Sequence, residues 1–212
     1  MLIIMELYYC NIAEFSDLCG AKYLTLERRQ KMQCYRLPED RARCLAAGLM
    51  LRYVFGKSVN NVFAGLYGKP YLRGDCRGFN LSHAGLYVVL GVASCEIGID
   101  IEKIVPYSDA VAKKCFTADE RAWLCHQGCD DAFYKLWTGK ESVMKAAGLG
   151  FQMPPESFHV LPVLDGKHFI AGKIWYLRWF TLKGHEICAA TAKPEQTERL
   201  IPLGRSELLG GE

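Results

Sequence analysis

The sequence predicts an α+β protein made of two similar halves, each with its own antiparallel sheet. The first observation behind this is a repeated order of elements: a short helix, a longer helix and then strands occur twice, with the join at residues 103–106. The second is that consecutive strand segments within each half lie too close together for helical crossovers, which requires antiparallel pairing. The third is size and composition. A chain of 212 residues, 50% hydrophobic and 23% charged, can bury a substantial core as one large domain or two small ones.

Taken in order, residues 1–6 read as a first strand rather than a secretory leader, because no basic region precedes the apolar run and Glu6 ends it. Residues 25–35 form a short helix with basic residues on its outer side. A longer helix spans 40–55: Pro38 precedes it, Asp40 can cap it, and Ala42, Leu45, Ala46, Leu49 and Tyr53 recur at helical spacing. Gly68-Lys69-Pro70 is a turn. Residues 79–82 are a short strand, and 86–93 are apolar enough for a fully buried one. Residues 97–102 alternate apolar and polar, as a half-exposed strand does. In the second half, Thr117 and Glu120 have capping-box spacing and open a helix toward Leu124. Residues 131–147 form a long helix closed by Gly148 and Gly150. Strands follow at 158–161, 174–180 and 185–191, and the tail from Lys193 frays at its Gly-Gly-Glu tip. The halves divide as 1–104 and 105–212.

Composition excludes several function classes. With 26 basic and 23 acidic residues the net charge is +3, too balanced to argue for nucleic acid or a membrane surface. The longest apolar run, 86–95, is too short to cross a bilayer. Ten cysteines are scattered through helical and strand segments, as at Cys44, Cys95 and Cys188, which fits free thiols in a reducing cytoplasm. Cys125, His126 and Cys129 have no second ligand pair at zinc-site spacing.

Four segments carry chemistry. In the strand at 97–102, Asp100 and Glu102 share one face; two such carboxylates hold a hard cation or lie in solvent, and the hexapeptide alone leaves both open. Trp137, Glu141 and Lys145 stand four apart on one face of the long helix, where the simplest alternative is a surface Glu–Lys pair. Ser82 and His83 at a strand entrance can meet phosphate oxygens, although His83 taken alone reads as structural and nothing resembles a nucleophile elbow. Gly68-Lys69-Pro70 is too short for a Walker loop. Arg28, Arg29, Lys31, Arg36, Arg41, Arg43 and Arg52 make residues 28–52 locally basic, of which Arg29 and Arg52 read as solvated.

Together, Gly68-Lys69-Pro70, Phe79 through His83, Gly98 through Glu102 and Trp137 through Lys145 resemble the 4'-phosphopantetheinyl transferases, in the long monomeric class typified by the surfactin synthetase activator (Sfp-type). The likeness runs from about Thr25 to about Thr191, in the family's order. It implies two halves related by a pseudo-twofold axis, with coenzyme A between them. It implies transfer of phosphopantetheine to a serine of an acyl, peptidyl or aryl carrier protein in fatty acid, polyketide or nonribosomal peptide synthesis. It implies Mg²⁺ (or Mn²⁺) on Asp100, Glu102 and Glu141, with Glu141 and Lys145 catalytic. Arg28, Lys31, Arg43, Ser82, His83 and Lys145 would surround the phosphates of coenzyme A, and Lys69 and Pro70 its adenine. Ala84 departs from the pattern, standing where a serine or threonine often follows the Ser-His pair. Residues 110–123 are the expected carrier contact. A monomeric cytoplasmic enzyme with no nucleic-acid or membrane partner is expected. The rival readings are a coenzyme A-binding module without activity and a metal-dependent phosphohydrolase.

Overall fold

Burial at every position of one strand defines the architecture. In the computed structural model, which describes residues 5–195 and 199–210 (backbone only at Lys57 and Ser58), strand β5 (Tyr87–Ala93) is buried throughout. Its alternate side chains enter two different cores. Val88, Leu90 and Val92 pack under helix α2 (Pro38–Phe55), with Leu45, Leu49 and Met50. Val89 and Ala93 instead meet Leu7 of β1 (Glu6–Asn11), Ile97, Ile99 and Ile101 of β6 (Ile97–Lys103), and Ile187 of β9 (His185–Thr191). The chain is therefore layered as helix, sheet, sheet, helix, with α5 (Asp130–Ala147) over the outer face of the second sheet.

Both sheets have four strands. The first runs β10-β1-β5-β4, with β4 spanning Gly78–Ala84 and β10 Leu200–Pro202. The second runs β6-β9-β8-β7, with β7 at Gly166–Ile170 and β8 at Lys173–Thr181. The expected repeat is visible in this wiring: β1-β5-β4 and β6-β9-β8 have the same order, antiparallel neighbours, and a long helix after the first strand. A two-stranded hairpin, β2 (Val62–Ala64) with β3 (Pro70–Leu72), projects from the first half.

Several expectations are corrected. Residues 158–161 form no strand, because the Val160 amide is committed to the buried Glu120 carboxylate (2.9 Å). Asp40 does not cap α2, which begins at Pro38 after Leu37; its carboxylate pairs with Arg43. The tail, read with the second half, returns to the first. There β10 pairs parallel with β1, and Leu208 of α6 (Arg205–Leu209) enters the core under α2. Arg205 fixes that return through Asp17 (2.7 Å) and the Glu14 carbonyl (3.0 Å). The expected strand residues 1–4 and the Gly-Glu tip lie outside the described residues. The hairpin and β7 escaped the sequence reading because three-residue strands and a Gly-started edge show little periodicity, and helix α3 (Asp109–Cys115) was also not anticipated.

Helix α1 (Leu26–Cys34) is capped by Thr25, and α4 (Ala118–Gln127) opens on the expected capping box of Thr117 and Glu120. Glu120 does more than cap. Fully buried, it also pairs with Lys140 of α5 (2.8 Å), whose ammonium donates to the carbonyls of Pro155 (2.7 Å) and Phe158. This cluster clamps α4, α5 and the loop at 155–160 into one body. Lys140→Ala leaves Glu120 buried and unpaired, and is expected to lower stability by about 3–5 kcal/mol in chemical denaturation; a loss under 1 kcal/mol would contradict the clamp.

Candidate functional site

The site begins where α5 crosses β6. A methyl group built on Gly98 would fall on the Ser142 carbonyl and the Ala146 amide, so only glycine lets helix and strand approach this closely. The strand's two-residue period then turns Asp100 and Glu102 toward the helix, while Ile97, Ile99 and Ile101 enter the core between the sheets. Facing them, the four-residue spacing of α5 presents Trp137, Glu141 and Lys145. The surface Glu141–Lys145 pair is not what forms. Lys145 Nζ instead donates to Asp100 Oδ1 (2.6 Å) and to Ser82 Oγ (3.1 Å), and Ser82 donates to the same carboxylate oxygen (2.9 Å).

Asp100 is buried, and its Oδ2 has no hydrogen-bond partner among the described residues. Trp137 Nε1 donates to Glu102 Oε1 (3.2 Å). Burial pushes Glu102 up to about 7, and the Asp100 charge adds to the rise against the pull of Trp137 and Lys145. Burial also raises Asp100, opposed by Lys145 and Ser82. Glu141 is raised by burial and then by Asp100, with Lys145 opposing. Three crowded carboxylates that resist ionisation, one with an orphaned oxygen, form an oxygen donor set that a hard cation would relieve. That chemistry fits a divalent ion, although among the described residues no three such side chains already converge in metal-holding geometry.

Beside this cluster lies a cleft of about 680 Å³. Arg28 and Lys31 of α1, Arg43 of α2, Pro70 of the hairpin and His83 of β4 all line it. Arg43 is held in place by Asp40 (2.7 Å) and by two bonds to the Gly85 carbonyl (2.8 and 3.2 Å). His83 has its pKa lowered by burial and then by Arg43 and Lys145, which favours the neutral ring. The cleft draws only on residues 23–83, so it belongs to the first half rather than to the space between the halves.

Three expected cleft residues point elsewhere, Lys145 being on Asp100. On β4, Leu81 and His83 line the cleft whereas Ser82, one step out of phase, turns to Asp100. The Lys69 ammonium is committed to the carbonyls of Ile97 and Ala146. Arg29 and Arg52 lie off the cleft lining, Arg29 on the carbonyls of Lys22 and Leu24 and Arg52 over the Tyr23 ring. All ten cysteines are free thiols; Cys44 and Cys188 are buried, and Cys95 is half-buried. Sequence reasoning missed Asn80, whose Oδ1 accepts the Ile99 amide (2.9 Å) and ties β4 to β6. It also missed Glu186, buried opposite Glu102 and pushed up to about 7 by burial. Neither carries a spacing signal; both acquire meaning only from strand register.

A cation-lined cleft on one face of β4, with crowded carboxylates on the other, is the equipment of an enzyme that handles phosphorylated groups. A family profile described as the 4'-phosphopantetheinyl transferase superfamily matches residues 96–197. The chain is 32% identical to the 4'-phosphopantetheinyl transferase Sfp of Bacillus subtilis (strain 168) over 203 residues, covering 88% of this chain and 90% of that protein. It is 34% identical to the transferase ffp of Bacillus subtilis, with the same coverages, and 37% identical over 154 residues to another 4'-phosphopantetheinyl transferase of that species, covering 68% of each. The chain belongs to the 4'-phosphopantetheinyl transferase family and is a transferase. No helix among the described residues is long and apolar enough to cross a membrane.

Gly98→Ala tests the crossing. The added methyl has rigid helix backbone in its way, so α5 must shift; a displacement of about 1 Å is expected to cost transfer about a hundredfold. Steady-state transfer assays read this directly, and near-normal turnover would show that the close approach is dispensable.

Proposed function

We propose that the protein transfers the 4'-phosphopantetheine arm of coenzyme A to a serine of an apo carrier protein, releasing adenosine 3',5'-bisphosphate. The observation that carries this reading is the orphaned, buried Asp100 Oδ2 beside Glu102 and Glu141, across β4 from a cleft lined by Arg28, Lys31 and Arg43. These carboxylates would hold Mg²⁺, or Mn²⁺ with the same oxygen ligands, and the ion would supply charge neutralisation to the two phosphates of coenzyme A. Arg28, Lys31, Arg43 and His83 bind the phosphates on the adenosine side, where arginine's planar fork suits phosphate oxygens.

A serine hydroxyl is a poor nucleophile until a base takes its proton. Glu141 fills that role, because burial raises its affinity for a proton and no hydrogen bond to its side chain competes among the described residues. Glu102 is less free, since Trp137 occupies one of its oxygens. Lys145 moves from Asp100 to the phosphate that departs with adenosine and steadies its developing charge. Residues 110–123, where Val111 is exposed on α3, form the surface offered to the carrier. Ten free cysteines suit the cytoplasm, and the protein is read as a monomer.

Intact mass of an apo carrier incubated with the protein, coenzyme A and Mg²⁺ tests the reaction. One added phosphopantetheine is expected, lost with EDTA and reduced about 10²-fold or more by Glu141→Ala. Breakdown of coenzyme A with the carrier unchanged would replace transfer by hydrolysis. Arg28→Ala is expected to raise the coenzyme A requirement about tenfold and to matter much less with 3'-dephospho-coenzyme A. Equal losses with both substrates would remove Arg28 from the 3'-phosphate.

A further inference from the structure

Lys69 lies in the loop between β2 and β3, beside the cleft, yet its side chain leaves the cleft. The loop is tightened by Gly65 donating to the Lys69 carbonyl (2.8 Å) and Gly68 donating to that of Gly65 (2.9 Å), with Gly68 at a φ of +83°. From there the aliphatic stem passes the left-handed Gly148 that ends α5; a methyl on Gly148 would sit 3.2 Å from Lys69 Cδ. The ammonium then donates to the Ala146 carbonyl (2.7 Å) and the Ile97 carbonyl (3.0 Å). Ala146 is in the last turn of α5, whose carbonyls lack helical partners and whose dipole favours a cation. Ile97 starts β6. One side chain from the first half thus caps the helix that carries Glu141 and Lys145 and holds the strand that carries Asp100 and Glu102.

We propose that Lys69 is a positioning residue whose side chain pins the cleft-lining hairpin to the crossing of α5 over β6 instead of binding coenzyme A. The pin joins two parts of the site that share little else. Pro70 and Gly68 line the cleft from the hairpin, whereas the carboxylates stand on β6 and α5. No acidic side chain makes a hydrogen bond or ion pair with the ammonium among the described residues, and burial lowers its pKa to about 8. A side chain that bound coenzyme A directly would turn into the cleft rather than onto two backbone carbonyls. The consequence for catalysis rests on the coenzyme A reading above; the mechanical consequence does not.

The experiment compares wild type, Lys69→Met and Lys69→Arg by hydrogen exchange without ligand and by steady-state transfer. In Lys69→Met, the amides of Gly65, Gly68 and Arg73, which are hydrogen-bonded within or at the base of the hairpin, are expected to exchange about tenfold faster. The amides of β5 and β9 should stay unchanged. KM for coenzyme A is expected to rise about tenfold with kcat within about twofold, equally for 3'-dephospho-coenzyme A, and Lys69→Arg should restore part of both effects. Unchanged hairpin exchange with a raised KM would overturn the pin and make Lys69 a direct ligand. Faster exchange throughout both sheets would also overturn it, reducing Lys69 to general stability. If wild type neither binds nor uses coenzyme A, the parent reading fails, while the exchange data still decide the pin.

Discussion

The contact of α5 with β6 governs both halves of the chemistry. A helix normally keeps about 10 Å from a sheet because side chains stand between them. At Gly98 there is no side chain, and the helix backbone settles onto the strand. Everything at the site follows from that proximity: Asp100 is close enough for Lys145 to reach it at 2.6 Å, and Glu102 is close enough for the Trp137 indole. A wider gap would admit water between strand and helix, and the carboxylates would ionise as ordinary surface acids.

Closeness has an energetic cost, which the protein offsets by anchoring α5 on three sides. On the face away from β6, the Lys140–Glu120 pair is buried completely and satisfied by backbone carbonyls and amides. At the C-terminal end, Lys69 occupies carbonyls that the helix itself cannot satisfy. Along the strand side, Ser82 and Asn80 of β4 tie the first sheet to Asp100 and Ile99. These are hydrogen-bonded buried polar groups, which contribute little net stability but penalise any other arrangement strongly. A helix so restrained can hold groups that disfavour one another, as three crowded carboxylates do.

The two halves share their wiring but divide the labour. The layer of the first sheet supplies the cleft and its cations from α1, α2 and the hairpin; the layer of the second sheet, which begins with β6 before the expected join at 104, supplies acids from β6 and α5. The apolar core between the sheets joins them, and β4 adds the polar link. Its two faces look in opposite directions, so His83 belongs to the cleft while Ser82, its neighbour in the chain, belongs to the carboxylates. The tail adds a second link, crossing from the second sheet to pair with β1.

The sequence by itself determined the α+β class, the repeated order of elements, the capping box at Thr117 and two one-faced pairs, Asp100 with Glu102 and Glu141 with Lys145, whose meeting only the family resemblance implied. Those features are periodic or local: a two-residue strand period, a four-residue helix period and cap residues three apart leave their mark in the chain. What only the tertiary structure decided is which groups meet across long separations. Lys140 and Lys145 lie five apart on one helix, yet one is buried on Glu120 and the other faces Asp100. Lys69 and Ser82 matched cleft positions by motif but turn to backbone carbonyls and a carboxylate. Glu186 and Asn80 acquire roles from register alone. A side chain's partner depends on how strands pair and how closely a helix can descend, and the second was set at Gly98 by a missing methyl group whose significance no local pattern records.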